Sequence, residues 1–247
     1  MDYPSGHEDP IRKSWIDRIQ AAFEVLLMSG LLSSFLAGLP LALLGGNSAE
    51  LLENDAKLIS FFVLLEAGFA FLILFMVLRV RRENLKNLGL EWARWKPNLI
   101  IGLTLVPFLF LINILVAVVF RLYLPAYYIE QNPLTEVIHT PQQLILFIFS
   151  ALIAGGIKEE LQRAFILNRF RRYLGGSAVG LLVWSLAFGA GHYVQGWQGV
   201  LIATIFGFVF GLVYIMSGNL IAPIVAHGTY DTIALLGYWF SSGKGLS

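Results

Sequence analysis

A short run in the middle of the chain, "IKEELQR", places Lys158, Glu159, Glu160 and Arg163 inside a stretch that otherwise reads as a membrane helix. Further on, "FGAGHY" supplies His192, and "VAHGTYD" supplies His227 and Asp231. An Arg, Lys or Asp at the centre of a span costs roughly 2.5–3.5 kcal/mol to insert, so such residues are functional candidates by default. A carboxylate beside an imidazole can hold and deprotonate a water that then attacks a carbonyl. A second imidazole with a carboxylate one turn away can bind the oxyanion or set a tautomer. The residue types of Glu159, His192, His227 and Asp231 equally suit Zn²⁺ or another divalent metal with an open position for water. Residue types alone leave both chemistries open.

Spacing narrows the geometry. Glu159 and Arg163 are four apart, as are His227 and Asp231, so each pair lies on one helix face, and Arg163 is expected to pair with Glu159. Lys158 is expected to snorkel or to form another ion pair. Gly189 and Gly191, next to His192, leave room for another backbone or a substrate.

These residues need helices to carry them. The chain has 247 residues, 57% hydrophobic and 13% charged, against about 25% charged for a soluble domain. The fold class is therefore all-α, a polytopic transmembrane helix bundle. Seven stretches are apolar enough to span: around 21–45, 58–79, 98–122, 143–168, 178–196, 199–217 and 219–240, with an eighth, interfacial segment allowed near the N-terminus. The domain organisation is a cytoplasmic tail over 1–20, N-terminal spans and loops over 21–141, core helices over 142–240 and a tail over 241–247, with no soluble domain and no internal repeat. The connections "GWQG" (196–199) and "SGN" (217–219) make the last three spans antiparallel neighbours. With a formal net charge of +1 and no basic tail, no nucleic-acid partner is expected. With no Cys, disulfides, thiolate metal sites and a Cys nucleophile are excluded.

Charge predicts orientation. The segment 79–96 carries Arg79, Arg81, Arg82, Lys86, Arg94 and Lys96, while 46–57 carries Glu50, Glu53 and Asp55, and 123–141 carries Glu130 and Glu136 without Lys or Arg. Under the positive-inside rule the N-terminus is inside and the C-terminus outside. Glu159 and His192 then lie on the order of 20 Å from the cytoplasmic ends of their helices, and His227 on the order of 12 Å. The expectation is a buried pocket among the last four core helices, reached from the cytoplasm. The remaining polar residues read as structural: Glu66, Asn113 and Arg121 as helix locks, Glu24 as solvated, His7 and His139 without a role. Trp92, Trp95, Tyr127, Tyr128, Trp197 and Trp239 read as interfacial anchors, and Gly207 and Gly211 as a helix-packing pair.

The motifs in this order resemble the CPBP intramembrane protease family, which groups type II CAAX prenyl endopeptidases with bacteriocin-processing and immunity proteins. The family pattern is Glu-Glu-x-x-x-Arg, then Phe-x-x-x-His, then His-x-x-x-Asn/Asp. Here "FGAGH" gives Phe188 and His192, and "HGTYD" gives His227 and Asp231, with the likeness confined to about 142–240. "EELQR" has one residue fewer than the family spacing. Holding the Glu pair in register makes Glu159 the water-activating residue, with a local π-bulge absorbing the offset; holding Arg163 in register puts Lys158 there and abolishes the base. The resemblance implies that Glu159 activates water with His192, that His227 and Asp231 stabilise the oxyanion, and that Glu160 and Arg163 support them. It implies an endopeptidase acting near the cytoplasmic face on a membrane-associated peptide or protein, lipidated in some relatives, in the plasma membrane of a prokaryote. An inactive family member serving as an immunity or scaffold protein, and a proton-coupled carrier, are the competing readings.

Overall fold

A computed structural model describes residues 14–43 and 55–243; the acidic residues Glu50 and Glu53, His7 and most of both tails lie outside them. The described residues form helices and no strands. In chain order these are α1 (Trp15–Met28), α2 (Leu31–Leu43), α3 (Ala56–Val80), α4 (Trp95–Tyr123) and α5 (Pro141–Ala151). The last runs through a π-helical segment, Leu152–Glu159, into α6 (Glu160–Tyr173). Then come α7 (Ser177–Gly191), α8 (Gly196–Ser217) and α9 (Ile221–Ser241). Large apolar side chains such as Phe61, Leu72, Ile100, Phe108, Leu182 and Phe208 are exposed around the bundle, as a bilayer requires.

The first expected span is two helices. Gly30 takes φ +94°, a left-handed conformation that ends α1, and the side chain of Gln162 donates to the carbonyl of Met28 that the break leaves free. By length and composition, four helical stretches suffice to cross a membrane: Trp15–Leu43, Ala56–Val80, Trp92–Tyr123 and Tyr193–Ser217. The other expected spans fall outside that criterion for local reasons. α7 is apolar but has 15 residues, and the interrupted helix and α9 carry the ionisable side chains. "GWQG" is the first turn of α8, so the turn itself is His192–Gln195. Trp239 is buried against Ile59, Ile138 and Leu144 rather than anchored at an interface, whereas Trp92, Trp95, Tyr127 and Trp197 are exposed.

The two ends of the bundle differ. At the end carrying the 81–94 loop, Arg169 is fully buried between Glu24 (Nε–Oε2 2.6 Å) and Glu83 (Nη2–Oε2 2.8 Å). Arg81 also reaches Glu24 at 2.5 Å, and Arg172 reaches Glu83 at 2.9 Å. Glu24 is thus buried and paired rather than solvated. The loop is strapped down by Asn168 and Asn219, which donate to the carbonyls of Asn87 and Glu91. Beneath it Leu78, Leu88, Leu161, Phe165, Trp184 and Leu220 pack as one apolar core. The opposite end, with the 124–140 connection and the His192–Gln195 turn, holds a cavity of about 660 Å³.

Candidate active site

The π-helical segment sets the site. Gly155 and Gly156 face α9 so closely that a Cβ on Gly156 would stand 3.3 Å from the Gly228 Cα, and one on Gly155 would stand 2.7 Å from Asp231 Oδ2. Two residues without side chains let the widened turns lie against α9, and such widened turns concentrate at functional sites. The three residues that follow then face three ways. Lys158 turns to α3, where its ammonium meets Glu66 at 2.8 Å, and Ser33 donates to the same carboxylate at 2.5 Å. Glu159 lines the cavity. Glu160, fully buried, accepts from Arg163 Nη1 and, at 2.8 Å, from His227 Nδ1.

Arg163 therefore pairs with Glu160, one turn back at i−3, and not with Glu159. Its guanidinium lies over Phe188 (4.7 Å to the ring centroid) and Phe210 (5.4 Å), a favourable cation–π placement in a dry setting. Phe210 also stacks on the His227 ring at 4.8 Å. With Nδ1 donating to the Glu160 carboxylate, His227 presents Nε2 to Asp231 Oδ2 at 3.6 Å and Glu159 Oε2 at 3.9 Å. His192 sits at the end of α7, where Nδ1 lies 2.8 Å from the Phe188 carbonyl. A carbonyl only accepts, so the proton is on Nδ1 and Nε2 is free to act as an acceptor. Glu159, His192, His227 and Asp231 line one cavity, with Glu160 and Arg163 behind them. Lys158 Nζ, paired with Glu66, also lies 3.7 Å from Glu159 Oε1.

The position of the cavity departs from the expectation. The cavity lies toward the end bearing Glu130, Asn132, Gln195 and Ser241, the end the charge distribution assigns to the outside, rather than toward the end with the basic loops. The physical reason is packing: the apolar core and the Arg169 ion pairs fill the basic end. Among the described residues, moreover, no three His, Asp or Glu side chains are placed to hold a metal ion. Glu159 Oε2 and Asp231 Oδ2 lie 3.9 Å and 3.6 Å from His227 Nε2.

Sequence reading missed several residues of the site. Tyr230 lines the cavity, its hydroxyl accepting from Asn113; it lay hidden as an aromatic on an apolar helix. Gln195 and Gln198 hold the loop at the mouth, accepting from Asn132 Nδ2 (3.2 Å) and from the Ile129 amide (3.1 Å). Gly155 had a readable signal, a Gly pair just before the Glu pair. Gly189 packs against α8, where a Cβ would clash with Thr204, whereas Gly191 has open space. Gly207 and Gly211 meet Ser185 and Leu181 of α7, as the small-residue spacing predicts. Glu66 is the helix lock expected of it, and Arg121 and His139 are exposed at α4's end and in the loop.

Comparison with known proteins follows the same region. No curated protein and no solved structure matches the chain. Residues 140–233 match the family model described as type II CAAX prenyl endopeptidase Rce1-like.

Proposed function

We propose, from the match of residues 140–233 to the family model described as type II CAAX prenyl endopeptidase Rce1-like, that this integral membrane protein is an intramembrane endopeptidase. It hydrolyses a peptide bond of a membrane-associated protein or peptide, lipidated or not, in the plasma membrane of a prokaryote. The observation that carries the reading is that Glu159, His192, His227 and Asp231 line one cavity, with Lys158 held by Glu66 at 2.8 Å.

The chemistry is that of carboxylate and imidazole. Glu159 and the free Nε2 of His192 hold a water between them, and Glu159 takes its proton as the oxygen attacks the scissile carbonyl. The carbonyl oxygen becomes an oxyanion, to which His227, when protonated on Nε2, donates. Asp231 orients that ring, and Glu160 fixes it from behind through Nδ1. Collapse of the tetrahedral intermediate breaks the C–N bond, and Glu159 returns the proton to the leaving amine. Arg163 acts through Glu160 as a positioning residue.

The test is a mass-spectrometric cleavage screen of a mixed peptide library by purified protein in detergent, with and without a chelator. The expected result is cleavage that survives the chelator and falls by about 10²–10⁴-fold in Glu159→Gln and His192→Ala, the range a general base supplies. Cleavage abolished by the chelator would replace the metal-free mechanism. Cleavage unaffected by either substitution would move the activity elsewhere.

A further inference from the structure

We propose that the flank of the bundle where α3 meets the 81–94 loop binds an anionic phospholipid. Arg79 and Arg82 hold its phosphate, and its chains lie along Phe75 and Leu78. The site is separate from the cavity that Glu159 lines and does not rest on the protease reading.

The sequence lays out this face. Phe75, Leu78, Arg79 and Arg82 fall at i, i+3, i+4 and i+7, one stripe along α3 and the turn that ends it. All four line a second cavity, of about 750 Å³, within the size of small-molecule sites (about 300–1,000 Å³). Phe75 is 51% exposed within the apolar stretch Ala56–Val80, on a surface that a bilayer covers. Arg79 lies in the last turn of that helix and Arg82 just beyond it, the level of the headgroups. An apolar stripe running into two guanidinium groups matches a molecule with chains at one end and a phosphate at the other.

The two cations are unspent. The acids that form ion pairs at this end, Glu24 and Glu83, each already serve two arginines. Glu24 takes Arg81 (2.5 Å) and Arg169 (2.6 Å), and Glu83 takes Arg169 (2.8 Å) and Arg172 (2.9 Å). Glu83 also lines the cavity, but both of its carboxylate oxygens are taken. Among the described residues no carboxylate forms an ion pair with Arg79 or Arg82. Asn84 adds a neutral donor to the lining: its Oδ1 accepts from the Lys86 amide, which leaves the Nδ2 hydrogens for a ligand.

The backbone gives a second, independent sign. α3 ends in a Schellman turn, with the Glu83 amide donating to the Leu78 carbonyl (2.8 Å) and the Arg82 amide to that of Arg79 (3.1 Å). The left-handed position of such a turn is ordinarily Gly. Here it is Arg82, at φ +54°, the one non-glycine residue with positive φ among the described residues. The turn alone would be better served by Gly, so a cation placed there points to a ligand.

The test is native mass spectrometry of the full chain released from detergent. It is titrated with dioleoyl phosphatidylglycerol, dioleoyl phosphatidylcholine or glycerol 3-phosphate. The expected result is a preferred first phosphatidylglycerol, bound about 25-fold more tightly by the parent than by Arg79→Gln/Arg82→Gln, at about fivefold per arginine. The charge-matched control Lys86→Gln/Lys96→Gln, whose lysines do not line the cavity, should keep the parent's affinity. Arg82→Gly should lose about fivefold in affinity. Its thermal midpoint without lipid should stay at or above the parent's, because Gly relieves the turn. Equal losses in the two double variants would reduce the site to a diffuse basic surface and overturn the proposal, as would unchanged affinity in Arg82→Gly. Equal affinity for phosphatidylcholine, or tighter binding of glycerol 3-phosphate, overturns the assignment to an anionic lipid. An occupant from the chain's own acidic residues Asp2, Glu8 and Asp9 overturns it too. That occupant would show as no phosphatidylglycerol affinity in the parent and affinity gained in Asp2→Asn/Glu8→Gln/Asp9→Asn.

Discussion

Lys158, Glu159 and Glu160 are neighbours in sequence, yet Lys158 reaches Glu66, Glu159 lines the cavity and Glu160 is buried against Arg163 and His227, because the widened turns before them rotate the chain off the 3.6-residue period. Gly155 carries that arrangement at atomic contact. Ala at this position would bring a methyl to 2.7 Å from Asp231 Oδ2, and the carboxylate would swing away from the His227 ring rather than the helices parting. Gly155→Ala should therefore lower the cleavage rate on the order of 10–100-fold, the scale of a 1 Å misplacement, with little change in thermal unfolding in detergent. A large loss of stability with unchanged turnover per folded molecule would show that Gly155 serves packing alone. That Arg163 would choose Glu160 was not readable, since both carboxylates lie within one turn and only the π segment decides between them.

At the scale of elements, the long apolar helices α3 and α4 were legible because composition and length alone define a span. The break after α1 was not: Gly30 in an apolar run looks like any tolerated glycine until its backbone is seen at φ +94°. A Cβ there meets only Gln162 Nε2 at 3.5 Å, ordinary contact. The penalty of Gly30→Ala is thus conformational, about 1–2 kcal/mol. Thermal unfolding in detergent should show that modest loss; an unchanged midpoint would mean that α1 and α2 can run through as one helix. The motif helices were legible for a different reason. His227 and Asp231 share a face at i, i+4 whatever surrounds them, and the structure keeps them 3.6 Å apart.

Among the described residues the bundle is polarised, with an ion-paired end and an end holding the cavity that Glu159 lines. Depth along a helix told how far Glu159 lies from either end, but not which end is filled. The ion-paired end makes its own prediction. Arg169→Ala leaves Glu24 to Arg81 and Glu83 to Arg172, and losing the fully buried partner of these pairs costs up to about 3–5 kcal/mol. The midpoint should drop sharply while turnover per folded molecule stays the same; a specific loss of turnover would connect that end to the site. The central claim is that Glu159, not Lys158, occupies the water-activating place. It is tested most directly by comparing peptide cleavage by Glu159→Gln with that by the double variant Glu66→Gln/Lys158→Met, which removes the buried ammonium together with its counter-charge. The account predicts that Glu159→Gln abolishes cleavage and the double variant retains it. Cleavage that persists in Glu159→Gln and vanishes in the double variant would contradict it.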